Sequence, residues 1–314
     1  MKVSVKVPAT TANIGPGFDC LGLALPIYNT ITIEETVLPG TGIEINVIAE
    51  SASIDELSLE HIPLDENSLV YKAVELLYNS IGQSPSELKI NIHSNIPVAR
   101  GLGSSASVIV GALLAANELL GHPADEVALL SIACEIEGHP DITPAIVGGL
   151  VLSSQEDDGS VVYRKLNWPT DWAITVCIPD FELSTDIARS VLPKEVPMKD
   201  AVFNAQRLGM FVQAVNTADT DLMKLALQDK LHQPYRMKLV PGLDKIMENL
   251  KHIDSVLGCV LSGAGSSILV ISEKNNLDKI RNIVKETWTN QNIKSDIRTL
   301  SIEQNGAQIV SNED

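Results

Sequence analysis

The sequence has 314 residues, of which 40 are acidic and 23 basic, so its formal net charge is -17. A surface of that charge repels phosphodiester backbones, which argues against nucleic-acid binding. Hydrophobic residues make up 45% of the chain, enough for a buried core, yet no apolar run approaches the roughly 18 residues of a membrane span. The first residues do not resemble a signal peptide, and the four cysteines form no CxxC pair. We therefore expect a cytoplasmic protein with reduced thiols and no membrane partner.

The first half of the chain shows two different hydrophobic periods. Val3, Val5 and Val7 alternate with polar residues, which predicts a half-buried strand of an antiparallel or mixed sheet. From residue 67 to Gly82 the apolar period is helical, and glycine is a suitable stop. Further strands are predicted at 31–33, 43–47, 88–92, 148–152, 161–166 and 173–178, and further helices at 104–120 and 125–137.

The second half mixes helices and strands and reads as α+β. Helices are predicted at 184–192, 199–218, 221–229, 243–251 and 276–287, and strands at 256–261, 268–271 and 297–302. The polar tail after Glu303 is expected to fray. No low-complexity linker marks a domain boundary, which we place at residue 160, after an acidic hairpin turn at 155–159.

A glycine- and serine-rich segment, PVARGLGSSAS at 97–107, lies between a predicted strand and a predicted helix. Gly101 and Gly103 permit backbone angles and close approaches that a Cβ would block. Ser104 and Ser105 offer hydroxyls where the helix begins, and the first helical N–H groups are available to an anion. The segment is therefore typical of a loop that binds the phosphates of a nucleotide.

The same letters fit two other structures. Residues 101–106 match the dinucleotide fingerprint G-x-G-x-x-A, but that motif needs a strand ending in an acidic residue about 20 residues later. Here a second predicted helix follows instead, and the motif comes after several strands. The G-K-[ST] ending of a Walker loop is absent. A plain strand–helix turn also remains open, although two serines after two glycines exceed what a turn needs.

The 97–107 segment closely resembles the P-x-x-x-G-L-G-S-S-A signature of the GHMP kinases. Two more segments follow that family's order: PATTANIGPGFD at 8–19, and LSGAGSS at 261–267, which is similar to its third glycine loop. Finer matches resemble the homoserine kinases within the family, namely the T-x-A-N-I-G-P-G-F-D segment, EIEGHPD at 135–141, LSTDIARSVLP at 183–193 and HQPYR at 232–236. The resemblance covers almost the whole chain.

The resemblance implies an α+β, two-domain GHMP kinase fold. Its N-terminal domain, ribosomal-protein-like with a βαβ unit, would span 1–160 and carry the ATP phosphate loop. Its ferredoxin-like α+β C-terminal domain would span 161–314. The implied reaction transfers a phosphoryl group from ATP, with Mg²⁺, to the small molecule L-homoserine, giving O-phospho-L-homoserine on the way to threonine. A homodimer is the implied assembly.

The resemblance also assigns roles to individual residues. It implies that ATP is bound by Pro97, Val98, Ala99, Arg100, Gly101, Leu102, Gly103, Ser104, Ser105, Ala106 and Ser107. Substrate binding would fall to Asn13, Asp19, Thr185, Arg189, Arg236 and Gly263. Ser105 and Glu135 would coordinate Mg²⁺, and Asp19 and Asp141 are the catalytic candidates near the hydroxyl.

Each charged candidate has a plain structural alternative. Arginine suits a carboxylate because its planar guanidinium donates two parallel hydrogen bonds. Arg189 and Arg236 are otherwise solvated helix residues. Asn13 and Asp19 can be turn formers among glycines. Glu135 can be an ordinary carboxylate on a helix surface.

One departure from the family pattern puts catalysis in question. The family segment usually continues H-P-D-N, whereas here His139-Pro140-Asp141 is followed by Ile142 and Thr143, as if the asparagine were deleted. Thr143 or Asp141 is a possible substitute. A smaller departure is Ser266-Ser267 in place of Pro-Thr in the third loop. Two other functions therefore stay open: a GHMP kinase for a mevalonate-like or sugar substrate, and a non-catalytic ligand-binding protein with this fold.

Overall fold

A computed structural model describes residues 1–36, 42–50, 62–85 and 87–313. Its strands are β1 (Lys2–Asn13), β2 (Gly17–Glu35), β3 (Ile43–Ala49), β4 (Leu88–Ser94), β5 (Leu150–Gln155), β6 (Val161–Leu166), β7 (Trp172–Pro179), β8 (Val256–Leu261), β9 (Ile268–Glu273), β10 (Ser295–Leu300) and β11 (Gln308–Glu313). Its helices are α1 (Leu69–Ser80), α2 (Ser104–Leu119), α3 (Glu126–Glu137), α4 (Thr143–Val147), α5 (Thr185–Ser190), α6 (Met198–Thr217), α7 (Thr220–Ala226), α8 (Gln233–Arg236), α9 (Leu243–Leu250) and α10 (Leu277–Thr289).

The first sheet has the strand order β11-β1-β2-β4-β3, and β5 and β6 extend it from another part of the long strand β2. Most pairs are antiparallel, but β3 and β4 are parallel, with α1 between them in the chain. A parallel pair needs such a crossover connection, so β3, α1 and β4 form the expected β-α-β unit.

Helices α1, α2 and α3 pack on this sheet over one large apolar core. The alternating side chains Val3, Val5 and Val7 are fully buried in it, as their period of two predicts. Gly111 brings α2 close to the sheet, because a Cβ there would lie 2.7 Å from Ile31 of β2. This close packing fixes the start of α2, and with it the phosphate loop, relative to β1 and β2.

The second sheet is antiparallel, with the strand order β10-β7-β9-β8. Helices α9 and α10 share one core with its strands, centred on the fully buried Trp288. A different core contains residues of α6 and α7, of this sheet and of the β1–β2 region, including Phe211, Leu23 and Val176. The two sheets therefore meet through a shared apolar layer, next to the turn between β1 and β2.

The chain after Glu303 is not frayed, contrary to the sequence-based expectation. It crosses the loop after α4, where the Ala307 amide donates to the Ile146 carbonyl at 3.1 Å, and then pairs with β1 as strand β11. The expected division at residue 160 follows the sheets only in part, because β6 and β11 both extend the first sheet. Although β6 and β11 follow residue 160 in the sequence, they belong to the first sheet because they hydrogen-bond to β5 and β1.

The α+β class and the two-sheet architecture agree with the expectation, and the predicted strands and helices have the predicted type. The short helices α4 and α8 and the N-terminal part of β2 were not predicted. Within the described ranges, no helix is both long and apolar enough to cross a bilayer.

Candidate functional site

The phosphate loop lies at the C-terminal side of β4 and leads directly into α2. Gly101 and Gly103 both have a φ of +68°, a conformation that glycine adopts without a Cβ penalty. Gly103 also touches β1, since a Cβ there would lie 2.0 Å from the Thr10 hydroxyl. The first amides of α2 lack intrahelical partners, as at every helix start. Ser104, Ser105 and Ala106 line the cavity described below, so their amides are potential donors to an anion.

The third glycine loop, residues 262–267, packs directly on the phosphate loop. The Ser262 hydroxyl donates to the Gly101 carbonyl at 2.6 Å, and the Ser267 amide donates to the Arg100 carbonyl at 3.2 Å. The Gly263 amide donates to the Ala12 carbonyl at 3.0 Å. The ends of β1, β4 and β8 therefore converge on one set of backbone contacts.

Two members of the predicted ATP segment have structural contacts. Arg100 is buried, and its guanidinium donates to the carbonyls of Val98, Pro179 and Asp180, which fastens the loop to the end of β7. Ser107 is fully buried and bonds to Asn29 and to the Ser104 carbonyl, so it does not line the cavity. Its position three residues into α2 turns its side chain toward the sheet.

Glu137, not Glu135, is the carboxylate beside the phosphate loop. The Ser105 hydroxyl donates to the Glu137 carboxylate at 2.8 Å, and burial raises the pKa of that carboxyl. Glu135 is exposed and does not line the cavity. Two residues along a helix correspond to a rotation of about 200°, so the two side chains of α3 point to nearly opposite sides. The sequence expectation for Glu135 is corrected accordingly.

The turn between β1 and β2 places Asn13 and Asp19 in unusual backbone conformations, with φ values of 71° and 54°. The Asn13 side chain accepts the Asp19 amide at 3.0 Å and donates to the Gly263 carbonyl at 2.8 Å. Asp19 accepts two hydrogen bonds from the Arg189 guanidinium, at 3.0 and 3.2 Å. Residues from three distant segments thus meet at one point.

Arg236 is a buried cation that forms no ion pair with any carboxylate in the part of the chain that the structure describes. Only 1% of its surface is exposed, and it donates to the Ala188 carbonyl at 3.0 Å and the Gly263 carbonyl at 3.4 Å. Among the described residues, no Asp or Glu oxygen lies within 4.0 Å of its nitrogens. Burial and the neighbouring charge of Arg189 lower the pKa of Arg236. A buried charge normally has a partner, so this one indicates an anionic ligand.

The segment 229–236 holds Arg236 in place. The buried Asp229 carboxylate accepts the amides of His232 at 3.0 Å and Gln233 at 2.7 Å. The His232 ring is fully buried and bonds to the Gly15 carbonyl through Nε2 at 2.8 Å. This arrangement joins the start of α8 to the β1–β2 turn, so Arg236 and the turn have fixed relative positions.

Phe18 lies between these groups. Its ring stacks on His232, with the centroids 5.2 Å apart, and its centroid is 5.3 Å from the Arg236 guanidinium carbon and 5.8 Å from that of Arg189. An aromatic face within about 6 Å attracts a cation. Phe18 was not among the predicted site residues, although it belongs to the first motif.

The shortened segment 139–143 places Asp141 in the cavity. Asp141 is buried and hydrogen-bonded to His139 Nδ1. Burial lowers the pKa of His139, but the hydrogen bond and charge of Asp141 outweigh that effect and raise it. Thr143 is fully buried, and its hydroxyl donates to the Pro140 carbonyl at 2.6 Å, so it does not face the cavity. Of the two possible substitutes for the family's asparagine, only Asp141 has access to the site.

One cavity of about 320 Å³ is lined by the phosphate loop and by Asp19, Asp141 and the two arginines. It extends from the phosphate loop to the arginines, and ligand atoms of Asp19, His139 and Asp141 lie within 4.8 Å of one another there. The predicted residues that line it are Asn13, Asp19, Pro97, Val98, Ala99, Arg100, Gly101, Leu102, Gly103, Ser104, Ser105, Ala106, Asp141, Thr185, Arg189, Arg236 and Gly263. The cavity also includes Glu137 and His139.

Comparison with known proteins finds relatives over the whole chain. The profile of the GHMP kinases N terminal domain matches residues 68–149, and that of the GHMP kinases C terminal matches 211–290. The chain is 43% identical to a homoserine kinase of Caldicellulosiruptor saccharolyticus, over 98% of this chain and 97% of that protein. The match to a homoserine kinase of Synechocystis is 40% identical, covering 98% and 97% of the two chains.

Solved structures of kinases also match nearly the whole chain. The crystal structure of homoserine kinase from Cytophaga hutchinsonii matches with a TM-score of 0.86 and 28% identity, over 98% of this chain and 97% of that one. A phosphomevalonate kinase from Streptococcus pneumoniae matches with a TM-score of 0.69 at 15% identity, over 95% and 99% of the chains. The latter likeness concerns the fold alone.

Proposed function

The chain belongs to the GHMP kinases, and from that premise we propose that it is a homoserine kinase. It transfers the terminal phosphoryl group of ATP to the hydroxyl of L-homoserine, giving ADP and O-phospho-L-homoserine, a step toward threonine. One observation carries the substrate assignment: the buried Arg236, which forms no ion pair with any described carboxylate, lines the same cavity as the phosphate loop. The names of the full-length relatives support it.

The proposed ATP site consists of the phosphate loop and the start of α2. Backbone amides after Gly101 and Gly103 donate to phosphate oxygens, and the helix start adds a partial positive charge. Phosphoryl transfer depends mainly on positioning and on neutralising charge. The contacts between Ser262 and Gly101 would keep these amides in a fixed arrangement before ATP binds.

Mg²⁺ fits the pair formed by Ser105 and Glu137. The two oxygens are 2.8 Å apart at the cavity wall. One carboxylate and one hydroxyl suit an ion that otherwise prefers phosphate oxygens and water. When bound, the ion would supply positive charge that neutralises phosphate oxygens, with Ser105 and Glu137 holding it. We propose Glu137 as its carboxylate ligand in place of Glu135.

The proposed homoserine site uses both charges of the amino acid. Arg236 and Arg189 receive the carboxylate, since guanidinium groups bind carboxylates with paired hydrogen bonds. Asp19, with Asn13 behind it, receives the ammonium group. The Gly263 carbonyl and the Thr185 side chain, which line the same cavity, complete the polar contacts.

Asp141 and Asp19 are the proposed groups that orient the substrate hydroxyl. Asp141 is fixed by its hydrogen bond to His139, whose raised pKa favours the charged imidazolium. This contact holds the Asp141 carboxylate in place at the cavity wall, where it can accept a hydrogen bond from the hydroxyl. Asp141 would thereby compensate for the asparagine that the family segment usually has after it.

The test is an ADP-release assay with homoserine, with and without Mg²⁺, on three variants. Ser105→Ala and Glu137→Gln should lower kcat, Glu137→Gln by roughly a hundredfold, the ratio for a lost charged contact of about 3 kcal/mol. Glu135→Gln is the matched control and should stay within about twofold of the wild type, as exposed substitutions do. Equal effects of Glu135→Gln and Glu137→Gln would contradict the proposed ligand.

The missing asparagine after Asp141 gives a specific reason to keep a second function, a non-catalytic ligand-binding protein with this fold. ATP binding by calorimetry without any homoserine-dependent ADP release would support it. Mevalonate and sugar substrates in the same assay test the third possibility, another GHMP kinase. ADP release with homoserine, but not with mevalonate or sugars, would exclude both the non-catalytic protein and the kinase for another substrate.

We propose further that the protein is cytoplasmic and that it forms a homodimer. Both ATP and a biosynthetic amino acid are cytoplasmic metabolites. Light scattering after size-exclusion chromatography measures the assembly directly, and a mass near the 33.8 kDa of one chain would refute the dimer.

A further inference from the structure

Two groups that we assign to opposite ends of the substrate bind each other in this structure. Arg189 donates two hydrogen bonds to Asp19, at 3.0 and 3.2 Å, across 170 residues of sequence. The pair lies at the cavity wall and is partly accessible, with 38% of the Arg189 side chain and 30% of the Asp19 side chain exposed. A ligand in the cavity can therefore reach both members.

We propose that this ion pair is a charge filter, which opens only for a ligand that carries both a carboxylate and an ammonium group. The inference rests on the proposed function, because it takes the amino acid to bind at these residues. The pair occupies the positions that the two charges of the substrate would otherwise fill.

The filter follows from a comparison of the oppositely charged partners that Arg189 and Asp19 have before and after a ligand binds. When a zwitterion enters, Arg189 exchanges the Asp19 carboxylate for the ligand carboxylate, and Asp19 exchanges the guanidinium for the ammonium group. No charge loses its partner. A ligand with a carboxylate alone either binds Arg236 only and forgoes Arg189, or pairs with Arg189 and leaves the Asp19 carboxylate unpaired beside another anion. Leaving one member of a partly buried pair uncompensated is unfavourable.

Binding of a ligand that carries only an ammonium group is also unfavourable. A ligand with an ammonium group alone pairs with Asp19 and leaves Arg189 unpaired next to Arg236. Among the described residues, Arg236 has no carboxylate within 4.0 Å, so the repulsion between the two guanidinium groups would no longer be offset by the ion pair of Arg189 with Asp19. Either single charge is thus disfavoured for a separate reason.

Different parts of the chain hold the two members in place. The Asp19 backbone has a φ of 54°, and its amide donates to the Asn13 side chain. Arg189 lies on α5, whose Ser184 caps the helix by accepting the Ile187 amide at 3.2 Å. The pair therefore forms from two independently fixed backbones, and substitution of one member should release the other side chain without moving the loop.

The test compares three ligands that share a hydroxyl-bearing three-carbon chain and differ in their charged groups: L-homoserine, 4-hydroxybutyrate, which lacks the ammonium group, and 3-amino-1-propanol, which lacks the carboxylate. Their binding is measured by ligand-observed NMR titration. In Asp19→Asn, Arg189 is released, so 4-hydroxybutyrate should bind roughly fivefold more tightly than to the wild type, the ratio for a half-exposed pair of about 1 kcal/mol. Homoserine should bind at least about tenfold more weakly.

Two controls separate the filter from a general charge effect. Asp186→Asn removes the same charge from an exposed position on α5 and should leave the affinities for 4-hydroxybutyrate and homoserine unchanged. In an Arg189→Ala background, Asp19→Asn should give no gain for 4-hydroxybutyrate, because no guanidinium is left to release. A gain that persists in that background, or that also occurs in Asp186→Asn, would overturn the filter.

Different results refute the proposed function and the proposed filter. A wild-type protein that releases no ADP with homoserine refutes the proposed function alone. An Asp19→Asn protein that binds 4-hydroxybutyrate no better than the wild type refutes the filter, whether or not homoserine is phosphorylated.

Discussion

Replacement of Gly101 by alanine tests whether the contact between the phosphate loop and the third glycine loop supports function. A Cβ at Gly101 would lie 2.0 Å from the Ser262 carbonyl oxygen and 2.7 Å from that of Gly265. Because real Cβ contacts stay beyond 3.0 Å, the Ser262 backbone must retreat by about 1 Å. That movement would break the 2.6 Å hydrogen bond from the Ser262 hydroxyl to the Gly101 carbonyl.

Gly121 provides the matched control. Its φ is +72°, close to the +68° of Gly101, but no atom lies within 4 Å of an added Cβ. The left-handed conformation costs about 1–2 kcal/mol for alanine at either site. Only Gly101→Ala adds the loss of contacts with the third loop, each hydrogen bond contributing about 0.5–1.5 kcal/mol. We expect Gly101→Ala to lower the free energy of unfolding by about 1.5–3.5 kcal/mol and Gly121→Ala by about 1–2 kcal/mol.

The assays are urea unfolding and the steady-state kinetics of ADP release. A displacement of about 1 Å near the reacting groups can cost about a hundredfold in rate, so Gly101→Ala should lose that much in kcat/KM for ATP. Gly121→Ala should retain nearly full activity in the fraction that is folded. If both variants lose equal stability and equal activity, the contact between the two loops has no functional importance.

Three further predictions concern the other end of the cavity and the sheet edge. Arg236→Ala should raise the KM for homoserine by roughly a hundredfold while changing kcat much less, and an unchanged KM would refute the carboxylate assignment. Burial lowers the pKa of His232 below its usual 6.5, so the unfolded chain binds a proton at this residue first and the folded state loses stability as the pH falls below about 6.5. His232→Gln should reduce this loss between about pH 8 and about pH 5.5 in urea unfolding, and equal losses in both proteins would contradict the reasoning. Deletion of residues 308–313 should lower the urea midpoint because β1 loses its partner on that side, and an unchanged midpoint would show that β11 adds no stability.

The sequence predicts most of the fold because the core pattern is local. The alternation of Val3, Val5 and Val7 requires a strand with one buried face, and the structure has it. Strand β11 escapes prediction for the same reason. It is a short edge strand in which Ile309 and Val310 are both substantially exposed, so its pattern lacks a clear buried face. Pairing with a strand some 300 residues away determines its structure.

The site is predictable where a motif is contiguous and less so where distant segments meet. The order of the glycines and serines at 101–105 is sufficient to predict a phosphate loop. The choice between Glu135 and Glu137 depends on the rotation of α3 about its axis, which the Ser105 hydrogen bond reveals and the motif does not. The contact between Asp19 and Arg189 cannot be read from spacing at all, since 170 residues separate them.

The place of β11 beside β1 has a consequence for how the protein is made. Lys2 is opposite Glu313 in the sheet, so β1 leaves the ribosome long before its neighbour β11 has been synthesised. Until then one edge of β1 has unpaired amides and carbonyls, which are open to pairing with other chains. Contacts so distant in sequence form slowly, and chains of this size expose such edges in intermediates. Newly synthesised chains should therefore depend on chaperones more than their final packing suggests.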